Sequence, residues 1–224
     1  MSKDSLENLI KIIKKNIYQR CTHLLTLVDK DEFSNTFGCF DRSFWQYKTK
    51  DFSSGMSQEA IYPLALALKN KVIKPKTKAS NIAIKKLIKS AAIYSLDTQN
   101  DNGSVDDYFP FEQASGATAF SSYALINCLE MKAFEITDKY HEKFQKRLFW
   151  LSKHYETGRL SNHEALISLV LAKSSKFYKN KILLKRAYER VERLLTWQSE
   201  EGWFEEYGGF DLGYETLTFS CLNE

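Results

Sequence analysis

A loop pattern that occurs twice constrains the fold of this chain more than any other feature. Each copy has a Gln, a Gly four residues later, two consecutive acidic residues and then a Tyr. The copies are Gln99-x3-Gly103-x2-Asp106-Asp107-Tyr108 and Gln198-x3-Gly202-x2-Glu205-Glu206-Tyr207. Each follows an amphipathic segment and precedes an apolar one. Such identical spacing is typical of a duplicated structural unit that buries its apolar face against a neighbouring copy.

The composition excludes several classes of protein. With 43% hydrophobic and 14% aromatic residues, the 224-residue chain can bury a core and is not disordered. Nine Gly and three Pro are too few for a sandwich or barrel of many tight turns. The 32 basic and 28 acidic residues are interspersed, which is too balanced for a nucleic-acid binder. We therefore expect one helical domain over residues 1–224 and no nucleic-acid partner.

The spacing of the cysteines and the lengths of the apolar runs indicate the cellular compartment. The four cysteines, Cys21, Cys39, Cys128 and Cys221, lie far apart and form no C-x-x-C pair, so we expect reduced thiols and no metal site or other cofactor. Charged residues interrupt residues 1–16, so this segment lacks the apolar core of a secretory signal. No apolar run reaches the length of a membrane span. We expect a soluble cytoplasmic protein with no membrane partner.

Helical segments of two kinds alternate along the chain. Amphipathic segments have apolar residues at three- and four-residue steps with charges between them, at 6–28, 84–95, 144–151 and 184–195. Apolar segments without a continuous charged stripe lie at 61–68, 117–129, 165–172 and 214–222. Because a helix that is apolar all round must be surrounded by protein, we predict outer and inner helices in about four antiparallel hairpins.

Local signals predict helix boundaries and the position of a site. Ser161-x-x-Glu164 has the form of a capping box, and Pro63 predicts a kink or a helix start close to Tyr62. The connections that lead into inner helices are long and rich in aromatic and acidic residues, at 33–57, 100–113 and 200–211. Since binding sites are usually built from loops on a rigid scaffold, we expect a site at the end where these loops meet.

These features resemble the α/α toroid proteins, in which helical hairpins circle a central cavity. The run from Trp197 to Trp203 resembles the Gln-Trp turn of terpene cyclase and prenyltransferase toroids. The segment from Trp203 to Thr218 is more similar to the toroid domains of polysaccharide lyases of the heparinase and alginate lyase type, and to proteins that accompany surface-polysaccharide genes. The resemblance implies an all-α partial toroid that binds or processes a surface or anionic polysaccharide, in a lyase-like reaction if it is an enzyme.

Departures from these families leave two other functions open. A complete toroid has about six hairpins, so one interpretation is that this chain is the N-terminal part of a larger toroid. Alternatively, it is a non-catalytic scaffold that completes its toroid with a second polypeptide or by self-association. An isoprenoid enzyme is the third alternative, although the D-x-D-D acid motif of terpene cyclases is missing.

Four residues are candidates for catalysis through the resemblance to lyases that act on uronic acids. Asn162 and His163 begin one inner helix, and Tyr214 begins the next. In those lyases an Asn or Arg neutralises the substrate carboxylate, and Tyr or His transfers protons, so Arg42 completes the set. The alternative is that His163 is simply solvated and Tyr214 belongs to the core.

Aromatic and acidic loop residues are candidates for substrate binding. Asp41, Trp45 and Tyr47 combine charge with flat rings that can stack on sugars, or Asp41 pairs with Arg42 to hold the loop. Paired carboxylates serve as acid and base in glycoside hydrolysis, but repeated pairs near helix starts are typical of structural caps. The remaining candidates are Asp106, Asp107, Tyr108, Trp203, Glu205, Glu206 and Tyr207.

A lysine-rich segment stands apart from these loops. It runs from Lys69 to Lys89 without interleaved aromatic residues. This composition is typical of a solvated turn and helix face. The alternative is attraction of a phosphate or an acidic glycan.

Overall fold

The computed structural model describes residues 3–224. Its helices are α1 (Lys3–Leu27), α2 (Arg42–Trp45), α3 (Ile61–Lys69), α4 (Lys78–Asp97), α5 (Ser115–Glu130), α6 (Asp138–Lys153), α7 (Ser161–Tyr178), α8 (Lys181–Leu195) and α9 (Leu212–Asn223). A 3₁₀ turn at Met56–Ala60 leads into α3. Over this range the only β-type pairings are isolated bridges in loops, so the predicted all-α class is confirmed.

The helices form two layers, as the alternation of apolar and amphipathic segments predicts. Helices α3, α5, α7 and α9 pack against one another in chain order, and α4, α6 and α8 pack in the same order outside them. Most of α5 and α7 is buried, because their apolar residues meet protein on both sides. The outer helices α6 and α8 bury one face each. The inner assignment of α5 and α7 and the outer assignment of α6 and α8 are therefore confirmed. Helix α9 packs against α7 but buries only Glu215, Thr218 and Cys221, so within residues 3–224 it is not surrounded by protein as predicted.

Helix α1 departs from the prediction of a buried apolar face. From Asp4 to Arg20 every residue is exposed, including those of the apolar stripe. Packing begins only at Cys21, whose thiol lies 3.9 Å from the carbonyl oxygen of Pro63 in α3. The periodicity correctly predicts a helix, but most of its apolar face has no covering element within residues 3–224. No helix in this range is long and apolar enough to cross a bilayer.

One predicted helix boundary is confirmed and one is wrong. Helix α3 begins at Ile61, so Pro63 lies in its first turn, where a missing N–H is tolerated. Helix α7 has Leu160 as its N-cap and no capping box. Because Ser161 is already helical, Glu164 lies one position too late to cap the helix start, and it binds Arg190 of α8 at 2.7 Å instead.

Candidate functional site

The connections that lead into the inner helices lie together at one end of the molecule. In the first two loops, the N–H of Gly55 donates to the carbonyl of Asp106 at 2.8 Å. In the later ones, the N–H of Tyr207 donates to the carbonyl of Arg159 at 3.3 Å. The starts of α5 and α7 also touch, since a Cβ on Gly116 would lie 2.6 Å from Cε1 of His163. This end is called the loop end below.

A histidine and a carboxylate form a dyad at the loop end. Nδ1 of His163 lies 3.0 Å from a carboxylate oxygen of Glu156, and the two side chains are 19% and 25% exposed. Because a carboxylate can only accept, it favours the proton on Nδ1 and leaves Nε2 as the basic nitrogen of the neutral ring. Glu156 was not predicted from the sequence, because it lies seven residues earlier in a short connection without a motif.

Two tyrosines form a pair at the loop end. The rings of Tyr207 and Tyr214 have their centroids 5.6 Å apart. Desolvation raises the pKa of Tyr207, and the proximity of Tyr214, Glu206 and Glu156 raises it further. The backbone hydrogen bond from Tyr207 to Arg159 joins the loop of this pair to the connection that holds Glu156. Because its pKa is raised, Tyr207 is a neutral phenol rather than an anion at neutral pH.

Two residues predicted to meet the substrate are instead buried against each other. Asn162 is 1% exposed and Glu206 is 3% exposed. The backbone N–H and Nδ2 of Asn162 donate to the carboxylate of Glu206, at 3.1 and 2.8 Å. This arrangement ties the start of α7 to the loop before α9. Both side chains are therefore engaged with each other inside the protein and are not exposed as their predicted roles require.

The acidic residues of the first two loops are also structural. Asp41 caps α2 and accepts hydrogen bonds from Lys50 at 3.1 Å and from the N–H of Ser54 at 2.9 Å. Its partner is thus Lys50, so the alternative pairing with Arg42 is wrong. Asp107, which is 5% exposed, accepts from the Ser54 hydroxyl, and Asp106 accepts from two N–H groups of its own loop.

The other predicted residues of the first loop hold it in place. Nε1 of Trp45 donates to the carbonyl of Leu27 at 2.8 Å, which attaches α2 to the end of α1. The guanidinium of Arg42 lies 5.2 Å from the ring centroid of Tyr47. Within residues 3–224, Arg42 makes no hydrogen bond or ion pair with His163, Asn162 or Tyr214. The structure therefore does not bring Arg42 to the other three catalytic candidates.

In the last loop, Trp203 and Glu205 have local partners. The indole N–H of Trp203 donates to Glu201 at 3.0 Å, and Glu205 forms an ion pair with Arg159.

Exposed aromatic rings surround these residues at the loop end. We define the aromatic rim as six rings in the loops at this end, each of which is more than half exposed. They are Tyr47, Tyr108, Phe109, Phe111, Tyr207 and Phe210. So many exposed rings on one end of a protein are unusual and are typical of an interaction surface.

The inner helices border a cavity of about 570 Å³ that we call the axial cavity. Its lining is mostly apolar and includes Leu166 and Leu217, which follow His163 and Tyr214 by one helical turn. Phe120 also lines the cavity, and its ring centroid lies 6.3 Å from that of His163, so the histidine of the dyad lies behind the cavity wall. Glu59 also lines it, and its pKa is raised by desolvation and by the charge of Asp107. Glu59 was missed in the sequence because it lies in a 3₁₀ turn without a motif.

Comparison with known proteins gives no identity. No protein-family model matches the chain, and no curated protein and no solved structure is significantly similar to it. Within residues 3–224, no group of three His, Cys, Asp or Glu side chains is placed to hold a metal ion. The function therefore has to be argued from the geometry of the loop end.

Proposed function

We propose that the protein is a partial α/α toroid that binds or processes a carbohydrate at its loop end, with lyase-like proton transfer. The observation that carries the proposal is the combination of the His163–Glu156 dyad with the Tyr207–Tyr214 pair. Both lie on the end of the molecule that carries the aromatic rim. Proton-transfer groups and stacking surfaces are the two elements that polysaccharide processing requires.

The aromatic rim supports a sugar ligand over a purely ionic one. A sugar ring presents apolar C–H faces, which stack on aromatic rings, and hydroxyl edges, which need hydrogen-bonding partners. Tyr108 and Phe111 are 76% and 85% exposed, so their faces are free to stack. Most of the nearby carboxylates are occupied within the loops. The rim therefore offers stacking from exposed rings, and the hydroxyls of Tyr207 and Tyr214 offer hydrogen bonding.

The proposed chemistry is β-elimination on a uronic acid. Nε2 of His163 removes the proton next to the substrate carboxylate, and Glu156 stabilises the imidazolium that forms. The electron pair of that C–H bond forms the new C=C bond as the C–O bond to the leaving sugar breaks. The hydroxyl of Tyr214 or Tyr207 gives its proton to the leaving oxygen. Because Asn162 is buried, we assign neutralisation of the substrate carboxylate to Arg159, whose side chain is 55% exposed and would be shared between the substrate and its ion-pair partner Glu205.

Ultraviolet absorbance of the unsaturated product tests the reaction. Uronic-acid polysaccharides are incubated with the wild type, with His163→Gln and Tyr214→Phe, and with Tyr108→Phe as a control on the rim. We expect turnover by the wild type and the control, and a loss of about 100-fold or more in His163→Gln. Equal turnover in all four proteins would contradict the assignment of His163.

Thermal shift tests binding independently of turnover. We expect acidic oligosaccharides to raise the melting temperature of the wild type by mass action. A shift produced only by a long isoprenoid alcohol would favour the isoprenoid alternative, since the axial cavity has an apolar lining. The absence of a shift with any glycan, together with no turnover, would remove the carbohydrate proposal.

A second candidate function is that of a scaffold completed by another polypeptide or by a second copy. It is favoured by uncovered apolar residues at both ends of the helical array, such as Ile13 in α1 and Phe219 in α9, which are 46% and 49% exposed. The charges of the two regions are opposite. Residues 198–224 contain no Lys or Arg and carry Glu200, Glu201, Glu205, Glu206, Asp211, Glu215 and Glu224, whereas basic residues outnumber acidic ones in residues 3–20.

Light scattering at increasing protein concentration tests self-association. We expect a larger particle for the wild type and a monomer for Ile13→Glu, because a charge in the stripe opposes its burial. Lys11→Gln, on the polar side of α1, is the matched control and should change the assembly much less. A monomer at all concentrations would leave only a different polypeptide as the partner.

A further inference from the structure

A second cavity lies at the end of the molecule opposite the loop end. It has a volume of about 440 Å³ and lies between the turn after α3, the first turns of α4 and the turn after α5. Apolar residues such as Leu68 and Ile88 form part of its wall. Five lysines line it, namely Lys69, Lys71, Lys74, Lys85 and Lys132. We call this the lysine cavity.

The five ammonium groups of the lysine cavity have no partner in the part of the chain that the structure describes. Within residues 3–224, none of them forms an ion pair or a hydrogen bond with another side chain. The neighbouring Lys86, by contrast, pairs with Glu32. All five lysines are exposed, so solvent screens their mutual repulsion and their charges are available to a ligand. Five unpaired positive charges around one cavity favour an anionic ligand.

Two of these lysines lie just after helix ends with a backbone conformation that recurs outside the cavity. Lys71 and Lys132 have φ values of 57° and 56°, in the left-handed region where Gly or Asn is usually found after a helix. A lysine there costs about 1 kcal/mol relative to Gly. Lys179 has the equivalent position after α7, with φ 53°, but does not line the cavity. A lysine can complement the dipole of the preceding helix at all three positions, so Lys179 serves as a control for that structural role.

We propose that the lysine cavity binds an anion that carries phosphate groups. Lysine ammonium groups act as mobile point charges and are common ligands of phosphate. The volume lies in the range of small-molecule sites, and the partly apolar wall accommodates an organic body attached to the phosphate. The shared chemistry is a phosphate monoester or diphosphate, either on a soluble compound or on a lipid head group. The proposal is independent of the carbohydrate proposal, because the two sites lie at opposite ends of the helices.

Calorimetry and vesicle sedimentation test the proposal on the full chain and distinguish the two sources. The soluble probe is inorganic pyrophosphate. The lipid probe is vesicles of phosphatidylcholine with phosphatidic acid, compared with phosphatidylcholine alone. Pyrophosphate binding without sedimentation identifies a soluble ligand, and sedimentation only with phosphatidic acid identifies a head group. If neither probe binds, the proposal is wrong.

Matched variants separate the cavity from general basic charge. Lys71→Asn and Lys132→Asn keep a residue that tolerates positive φ, so we expect both proteins to fold. Each should weaken the affinity by about tenfold, as expected for the loss of one charged hydrogen bond. Lys179→Asn removes the same charge from an equivalent turn outside the cavity and should bind as the wild type does. An equal loss in Lys179→Asn would show non-specific attraction and overturn the proposal.

Discussion

The loops at residues 99–108 and 198–207 have the same backbone arrangement but different surroundings. In the first, the N–H of Asn100 donates to the carbonyl of Ser104, and the N–H of Gly103 donates to that of Asn100, both at 2.8 Å. The second repeats both bonds, from Ser199 to Trp203 and from Gly202 to Ser199. The φ values of the two glycines are 99° and 96°. The sequence repeat is therefore a repeat of structure.

The two loops are attached to the following helix in the same way. The N–H of Val105 donates to the hydroxyl of Thr118 at 3.1 Å, and the N–H of Phe204 donates to the carboxylate of Glu215 at 3.1 Å. Thr118 and Glu215 are each the fourth residue of their helix, α5 and α9. In both copies the residue directly before the acidic pair, Val105 or Phe204, is buried. The repeated unit thus includes the first turn of the next inner helix.

The surroundings give the two copies different roles. The second acidic residue of each pair binds the adjacent connection: Asp107 holds Ser54, and Glu206 holds Asn162. In the described part of the chain, the tyrosine that follows has no ring partner in the first copy, whereas Tyr207 pairs with Tyr214. Duplication therefore gives the two loops one backbone scaffold, and the neighbours of each copy give its side chains different contacts.

Substitution of the two glycines should reveal the largest difference in stability between the two loops. A Cβ on Gly103 would lie 2.7 Å from the backbone nitrogen of Arg147, whereas a Cβ on Gly202 meets nothing within 4 Å. We expect Gly103→Ala to lower the free energy of unfolding by about 3 kcal/mol or more, because strain and a backbone clash add. Gly202→Ala should cost about 1–2 kcal/mol from strain alone. Urea denaturation measures both free energies of unfolding. Equal losses would contradict the close packing of Gly103 against Arg147.

Removal of the side-chain hydrogen bond that attaches each loop to its helix should have the next largest effect on stability. Thr118→Val keeps the shape of the side chain but leaves the buried N–H of Val105 without an acceptor. We expect a loss of about 1–3 kcal/mol in the free energy of unfolding. Glu215→Gln keeps an acceptor oxygen for Phe204 and should cost less. If Thr118→Val is neutral in urea denaturation, the proposed attachment of the first loop is wrong.

The tyrosines should differ in function and hardly in stability. Tyr207→Phe removes the hydroxyl of a ring that lies beside Tyr214, and Tyr108→Phe removes one that is exposed to solvent. We expect both to change the unfolding free energy by less than about 0.5–1 kcal/mol. On a uronic-acid polysaccharide, Tyr207→Phe should lose about tenfold or more in turnover, whereas Tyr108→Phe keeps it. Comparable turnover in the two variants would count against a special role for the second copy.

The smallest expected effect is a change in the pKa of Tyr207. Because the pKa of Tyr207 is raised above its usual range, the neutral phenol is favoured in the folded protein. The stability that this neutral phenol contributes is fully present below the pKa of Tyr207 in the unfolded chain, which is about 10. It is lost as the pH rises through the pKa of Tyr207 in the folded protein. In an ultraviolet titration, Tyr214→Phe should lower the pKa of Tyr207. An unchanged pKa of Tyr207 would contradict the influence of Tyr214 on it.

Much of the fold could be predicted from the sequence, because apolar periodicity reports directly on burial. The inner segments 117–129 and 165–172 and the outer face of α8 follow from it. Periodicity cannot predict the uncovered stripe of α1, since an apolar face does not say whether anything packs on it. The capping box at Ser161 failed because a one-residue difference in the helix start changes which side chain can reach the free N–H groups.

The site could be predicted only in part. The repeat and the helix starts indicated the loop end, together with His163 and Tyr214. They could not indicate Glu156, because its contact with His163 depends on how a short connection folds. These sequence patterns also could not distinguish accessible acidic side chains from buried ones. Asp107 and Glu206 have the composition of catalytic pairs, but their hydrogen bonds to Ser54 and Asn162 make them structural.

Hydrogen exchange of single amides tests the central claim, that the two loops are copies of one unit attached to the next inner helix. We predict that the amides of Val105 and Phe204 exchange slowly, because both are bound by side chains of the following helix. Thr118→Val should accelerate exchange at Val105 and leave Phe204 unchanged. Rapid exchange of both amides in the wild type, at the rate of exposed loop residues, would contradict the account.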